Sequence, residues 1–437
     1  MTQKQDIMKK LTLTISLIAL FQLICTDLYS QNHIKIDASF YSEVLDTVKK
    51  VDIYLPGDYY VNTEQQYATI YYLHGGNGDQ NSGQTKAMWY YNIHSQDTTI
   101  TSPAAIFVCP DGSCEPYVGS VWVNSVLYGN YEDYVMQDVV NFVESNFRAF
   151  PDKNFRMITG TSMGGFGSSW LSVNYPEKFR ACFPYIGVFL SFPDTTLSAW
   201  RTMCYEQNGS YNLNYNAGFE TQALITGCGG WSPNLNIEPY HVEIIFDTLG
   251  NWVDTVLSKW YQFDVSRKVK DLPTENELSW FLGCGTTDYM ITYPAYQIFM
   301  DSLNHYGIGY DSYFFEGGHV FDVETWMAGM HWMDSIINYS FQTMGIEITR
   351  QPTDHLTVYP NPASSQINIS YQLNDANKVK IEIFNQKGQQ LEQVLSRKQQ
   401  KGKHHMEWNI SNYPPGIYFC QLQIGNEMIT KKIIKTK

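Results

Sequence analysis

Residues 155–179 read FRMITGTSMGGFGSSWLSVNYPEKF. A strand-sized apolar run halts at Gly160, a serine follows between glycines, and a helical stretch runs on toward Pro176. Few local patterns restrict a fold more. A sharp strand-turn-helix that lifts a serine hydroxyl clear of the backbone needs residues without side chains two places before and two places after the serine. A Cβ at either place would strike the neighbouring strand or helix. Gly160-Thr161-Ser162-Met163-Gly164 meets that demand. A bare G-x-S-x-G also arises by chance, so its weight depends on the strand before it and the helix after it, and the sequence offers both.

The rest of the chain supplies the sheet that such a turn requires. Short apolar runs at 69–73, 105–108, 155–159, 181–186, 279–283 and 312–315 alternate with helical stretches. In one of these, YEDYVMQDVVNFVESNF, residues Tyr131, Val135, Val139, Phe142 and Val143 recur at helical spacing. The alternation implies an α/β domain, a mostly parallel sheet covered by helices on both faces, with reactive groups on loops at the carboxyl ends of the strands. Alternating residues from His33 to Leu55 read as a leading antiparallel hairpin. Residues 188–278 break the rhythm. They are rich in Asn, Gly, Tyr and Trp, carry helical pieces around 239–268, and are expected to form an insertion that walls or lids the site.

Charge divides the chain in two. Residues 31–350 hold 15 Lys and Arg against 35 Asp and Glu, a net of −20, whereas 351–437 hold 11 against 6, a net of +5. The acidic larger part argues against a nucleic-acid partner, because such binding neutralises phosphates with Lys and Arg. Beyond a linker at 343–355, six short alternating strands separated by turn residues suit a small all-β sandwich over 356–437. At the other end, Lys9 and Lys10 precede an apolar run and then the polar TDLYSQ, which reads as a secretory signal over residues 1–30. The domain expected between signal and linker spans 31–342. Export permits disulfides. Of the seven cysteines after the signal, Cys204 with Cys228, or Cys109 with Cys114, are the loop-placed candidates for pairing, and Cys182 and Cys284 read as buried thiols. No Cys/His spacing resembles a zinc site.

A serine attacks only when a base takes its proton, so the glycine-boxed serine calls for an acid and then a histidine further along the chain. Asp288 follows the run SWFLGCGTT and His319 follows SYFFEGG, both just past strand ends. Asp311 and Glu316 are rival acids, and His331, on the following helix, is a rival histidine placed to pack or face solvent. A developing oxyanion needs backbone N–H donors. Met163 supplies one by position, and YYLHGGNGD supplies the early loop for the second, from Gly76 or Asn77. His74, Gly75, Asn77 and Trp122 complete the set as candidate substrate-binding residues.

LHGG at 73–76, PDG at 110–112, NSVLYGNYEDYV at 124–135, GTSMGGFGSSWLSVNYPEKFRA at 160–181, GCGTTD at 283–288 and GGH at 317–319 resemble, in order, the "Putative esterase" (esterase D-like) family of α/β-hydrolases. The resemblance covers about residues 35–340. It implies an α/β-hydrolase fold with Ser162 as nucleophile, Asp288 as orienting acid and His319 as base. Feruloyl esterases, acetylxylan esterases, S-formylglutathione hydrolases and mycolyl transferases belong to that family. VYPNPASSQINI and YPPGIYFCQLQIGNEMITKKIIK resemble the immunoglobulin-like C-terminal sorting domain of type IX secretion cargo. That implies export across the outer membrane by the secretion machinery, followed by release or surface attachment. Together the two point to a secreted serine esterase acting on acetyl or feruloyl esters of plant-type polysaccharide, with no metal or organic cofactor. The same residues suit an acyltransferase with a sugar or lipid acceptor, and an aromatic-rich insertion on an inactive scaffold would suit a glycan-binding protein.

Overall fold

The computed structural model describes residues 33–436 apart from 61–62, 98, 274–276, 291, 347–355, 362, 374, 386–388 and 426. The expected signal segment and most of the expected linker lie outside the described residues. Two compact units emerge, one spanning Asn32–Ile348 and one that takes in Thr349–Lys437.

The first unit is built on an eight-stranded sheet. Its strands are β1 (His33–Ser42), β2 (Thr47–Pro56), β3 (Thr69–Leu73), β4 (Ile106–Pro110), β7 (Arg156–Thr161), β8 (Ala181–Tyr185), β9 (Ser279–Leu282) and β10 (Tyr310–Ser312), in the order β1-β2-β4-β3-β7-β8-β9-β10. A two-residue ladder of β5 (Asn124–Ser125) and β6 (Gly129–Asn130) stands apart. The hairpin β1-β2 joins β4 antiparallel, and from β4 to β10 every pairing is parallel. Strands β3, β4 and β8 are buried at all five positions, as a parallel strand covered on both faces must be. Helix Met163–Asn174 packs on β3, β7 and β8, and helix Gln84–Gln96 packs on helix Val323–Thr343. The fold is the α/β-hydrolase arrangement, and it brings the loops after β3, β7, β9 and β10 to one edge of the sheet.

Two elements depart from the sequence reading. The apolar run 312–315 is strand only to Ser312. Phe315 instead bridges Gly285 in parallel, and its carbonyl accepts from the Thr286 N–H at 2.9 Å. Between β8 and β9, helices Asp194–Asn208 and Phe219–Trp231 form where none was expected, while 239–253 is turns and bridges until helices Asp254–Trp260 and Val265–Lys268. The sequence FETQALITGCGGW is buried along most of its length, so it lacks the polar stripe that makes a surface helix readable.

The second unit has two antiparallel sheets, β11 (Leu356–Tyr359), β12 (Gln366–Leu373) and β15 (Gly402–Asn409) in one, β14 (Gln390–Gln399), β13 (Asn377–Asn385), β16 (Gly416–Ile424) and β17 (Glu427–Lys435) in the other. Ile367, Ile369, Ile381, Ile383, Trp408 and Leu422 share one buried core between them. Strand β14, a seventh, escaped the sequence reading because QLEQVLSRKQ is largely exposed at a sheet edge.

All seven described cysteines are free thiols, so neither candidate pair is bonded. Cys109 lies in β4 with its Sγ packed under Gly83, where an added Cβ would fall 2.0 Å away, and the Cys204 thiol points at the Glu220 carbonyl, 3.8 Å off. No helix among the described residues is long and apolar enough to cross a membrane.

Candidate active site

The turn between β7 and helix Met163–Asn174 puts Ser162 at φ 58°, ψ −114°, a conformation that non-glycine residues adopt only when the surroundings enforce it. The glycines make the enforcement possible. A Cβ on Gly160 would lie 2.2 Å from the Gly164 carbonyl oxygen, and one on Gly164 would lie 1.9 Å from the carbonyl oxygen of Leu73 in β3. Both collisions are with backbone, which cannot rotate out of the way.

Ser162 Oγ lies 2.9 Å from Nε2 of His319, and Nδ1 of His319 lies 2.7 Å from Oδ2 of Asp288. The carboxylate is buried and the imidazole nearly so, with side-chain exposures of 0% and 13%. Asp288 is held by two further donors, the Met290 N–H on Oδ1 at 2.8 Å and the Thr292 hydroxyl on Oδ2 at 2.7 Å. The acid and histidine loops are laced together. Thr286 donates to the Phe315 carbonyl at 2.9 Å and Thr287 to the Gly317 carbonyl at 3.0 Å. Rival groups are engaged elsewhere: Asp311 accepts from the Trp332 indole at 2.8 Å, and His331 pairs with Asp97 at 2.8 Å. Glu316 is exposed to solvent.

The loop after β3 faces the serine, with an added Cβ on Gly75 falling 3.3 Å from Ser162 Cβ. Asn77 sits at φ 57° and spends its N–H on the Val118 carbonyl at 2.7 Å. Gly76 and Met163, the first residue of the helix, both line the cavity beside Ser162. His74 and Trp122 do not face a substrate. His74 is 1% exposed, and its Nε2 accepts the Gly112 N–H at 2.9 Å, so its proton is on Nδ1, which donates to the Gly75 carbonyl at 2.8 Å. Burial lowers its pKa, keeping it neutral. Trp122 is fully buried, donates its indole N–H to the His74 carbonyl at 3.1 Å and fills the space left by Gly112 and Gly167. Both side chains brace the loop from behind.

The sequence reading expected residues 188–278 to wall or lid the site but named no side chain of the cavity itself. A small cavity of about 40 Å³ opens beside Ser162 between Phe189, Trp200, Phe219, Thr226 and Trp231. Trp200 rides on helix Asp194–Asn208, and Phe219, Thr226 and Trp231 on the next helix, within the segment that matches no motif. The one available signal was its density of tryptophan and phenylalanine. Among the described residues no group of three or more His, Cys, Asp and Glu side chains could hold a metal ion.

Residues 42–220 match the family model described as "Putative esterase", and residues 357–436 match the one described as "Secretion system C-terminal sorting domain". The chain is 25% identical over 276 residues to a curated esterase of Mycobacterium tuberculosis, covering 62% of this chain and 52% of that protein. It thus spans about half the length of the curated relatives it matches. Among solved structures, a ferulic acid esterase shares the fold with a TM-score of 0.51 at 15% identity, over 72% of this chain and all of that one. The sorting domain marks the chain for export by type IX secretion to the cell surface or beyond. The chain thus carries a region that matches the esterase family model, followed by one that matches the secretion-system C-terminal sorting domain.

Proposed function

We propose that the first unit is a secreted serine esterase that hydrolyses carboxylic esters of acetyl or feruloyl type on plant-type polysaccharides. The observation that carries this is the continuous hydrogen-bonded line from Ser162 through His319 to a buried Asp288. In this reading His319 Nε2 takes the Ser162 proton as Oγ attacks the ester carbonyl. Asp288 holds the imidazole with its Nδ1 proton inward and stabilises the imidazolium that forms. The N–H groups of Met163 and Gly76 bind the oxyanion, with the positive end of the Met163–Asn174 helix adding to the field. His319 then protonates the leaving alkoxide, and water repeats the cycle on the acyl-enzyme. The feruloyl arm of the proposal draws on the fold shared with a ferulic acid esterase and on the aromatic walls of the cavity.

The test is hydrolysis of p-nitrophenyl acetate and methyl ferulate by the purified protein and its Ser162→Ala variant. The proposal expects cleavage of at least one ester and a loss of about a thousandfold or more in the variant. Equal rates for a folded variant and its parent would sink it.

A further inference from the structure

The end of strand β8 touches each of the loops that carry Ser162, Asp288 and His319. The Tyr185 carbonyl accepts the Ser162 N–H at 3.1 Å, and three residues on the Val188 N–H donates to the Ser162 carbonyl at 3.2 Å. Both backbone groups of the serine are therefore held by one short segment. Between them the Ile186 N–H donates to the Gly283 carbonyl at 2.8 Å, at the end of the strand that leads to Asp288.

The Tyr185 side chain reaches the third loop. It is fully buried. Its hydroxyl accepts the Asp322 N–H at 2.5 Å and donates to the Asp322 carbonyl at 3.1 Å. Its ring packs on Phe321 and Trp326 with centroids 5.8 and 5.5 Å apart. The hydroxyl thus bonds backbone just past His319, and the hydrolytic chemistry does not use it.

That bond matters because little side-chain packing holds the histidine loop. Ahead of His319, the Thr287 N–H donates to the Gly317 carbonyl at 3.0 Å. Behind it, Asp322 caps helix Val323–Thr343 by accepting the Thr325 N–H at 2.8 Å, and its own N–H is tied to Tyr185. Between these anchors Gly318 has nothing within 4 Å of an added Cβ, and Val320 is 57% exposed. A segment with so few buried contacts opens locally at low cost, so its end anchors set where His319 stands. One of those anchors and one hold on Ser162 belong to the same residue.

We infer that Tyr185 is a positioning residue: its carbonyl fixes Ser162, its hydroxyl fixes the histidine loop, and together they set the 2.9 Å separation of Oγ and Nε2. This rests on the esterase reading. Without the hydroxyl one end of the loop is released, His319 Nε2 spends less time within reach of Oγ, and proton transfer slows. The cavity beside Ser162 is lined by other residues, so substrate binding is left as it was.

The experiment measures kcat and KM for p-nitrophenyl acetate in the parent, Tyr185→Phe and Tyr91→Phe. Tyr91 is the comparator, a tyrosine 1% exposed whose hydroxyl bonds the Tyr54 and Ala105 carbonyls at 2.7 and 2.8 Å, away from all three loops. Both variants lose one buried hydroxyl and keep the ring, so both are expected to lower Tm by similar amounts. Only Tyr185→Phe is expected to lose kcat, by about tenfold to a hundredfold, the cost of a misplaced catalytic group, with KM nearly unchanged. In a His319→Ala background the same Tyr185→Phe change is expected to cause no further loss, which a merely structural role would not produce. Parental kcat in Tyr185→Phe overturns the inference, as does an equal loss whether or not His319 is present. If Tyr185→Phe does not fold, amide exchange in the parent decides: an Asp322 N–H far slower to exchange than that of His319 upholds the anchor, and equal rates reject it. If the parent cleaves no ester, the esterase reading fails, and proton NMR tests Tyr185 separately. Loss of the far-downfield proton of the His319–Asp288 bond in Tyr185→Phe but not in Tyr91→Phe upholds the positioning role, and an unchanged signal rejects it.

Discussion

The backbone N–H of Gly112, just past the end of β4, donates to Nε2 of His74 at 2.9 Å. This one bond fixes which nitrogen carries the proton and ties two loops together behind the serine. His74 can serve that role only while neutral, because protonation would set an N–H against the Gly112 N–H in a buried site. The pKa of the folded state is lowered by burial from the ordinary value of 6.5. Between that lowered value and about 6.5 the unfolded chain binds more protons than the folded one, so stability rises with pH there. The contribution is fully present above about pH 6.5 and is lost as pH falls through the folded value. His33, whose pKa burial also lowers, adds a slope of the same sign. A His74→Gln variant, whose amide can both accept from Gly112 and donate to Gly75, is expected to show a flatter dependence of Tm on pH below 6.5 than the parent. Parallel curves from pH 7.5 to 5 would show that His74 does not titrate on unfolding.

Asp288 is held by the Thr292 hydroxyl as well as by His319, both on Oδ2. Removing that hydroxyl in Thr292→Val frees the carboxylate to turn while leaving the cavity walls intact. The expected result is a fall in kcat of about tenfold to a hundredfold, the worth of one hydrogen bond to a charged group, with KM nearly unchanged. Asp288→Asn should cost far more, about 10⁴-fold, since an amide favours the wrong imidazole tautomer. Stopped-turnover assays on both variants check the order. A larger loss for Thr292→Val than for Asp288→Asn would contradict the arrangement.

Much of this site is readable in the sequence because its demands are local. Gly160 and Gly164 are required by backbone within a few residues of Ser162 or in the adjacent strand, and Asp288 and His319 follow strand ends in chain order. The orientation of a loop's side chains is not local. The HGG segment reveals the loop after β3, but only the packed structure shows that His74 and Trp122 point away from the substrate, held by Gly112 and Gly167. The cavity beside Ser162 is less readable still. Helix Phe219–Trp231 is buried nearly all round, so its periodicity is blurred, and its small residues make sense only against Tyr128 and Val121, which come from a distant loop.

Cysteine chemistry gives a prediction independent of catalysis. Burial pushes the Cys114 thiol up to about 11 and those of Cys182, Cys204 and Cys420 up to about 12. Since the thiolate is the reactive form, a thiol reagent such as Ellman's at pH 8 should label the native protein slowly at all seven positions. All seven should react promptly in guanidinium without prior reduction. A shortfall of two thiols that reductant restores would reveal a disulfide.

The sharpest stability contrast lies between two glycines that a sequence treats alike. Gly164 cannot accept a Cβ, which would sit 1.9 Å from the Leu73 carbonyl oxygen and 2.4 Å from its carbon. Relief would require β3 and the serine turn to move apart, and overpacking against fixed backbone costs about 3 kcal/mol or more. Gly209 caps helix Asp194–Asn208 at φ 66° with nothing within 4 Å of an added Cβ, so its alanine variant bears only the left-handed backbone cost, about 1 kcal/mol. Thermal unfolding should therefore place Gly209→Ala a few degrees below the parent and Gly164→Ala far below it, or yield no soluble protein for the latter. If the two variants melted together, the close approach of β3 to the serine turn would not be what the glycine serves.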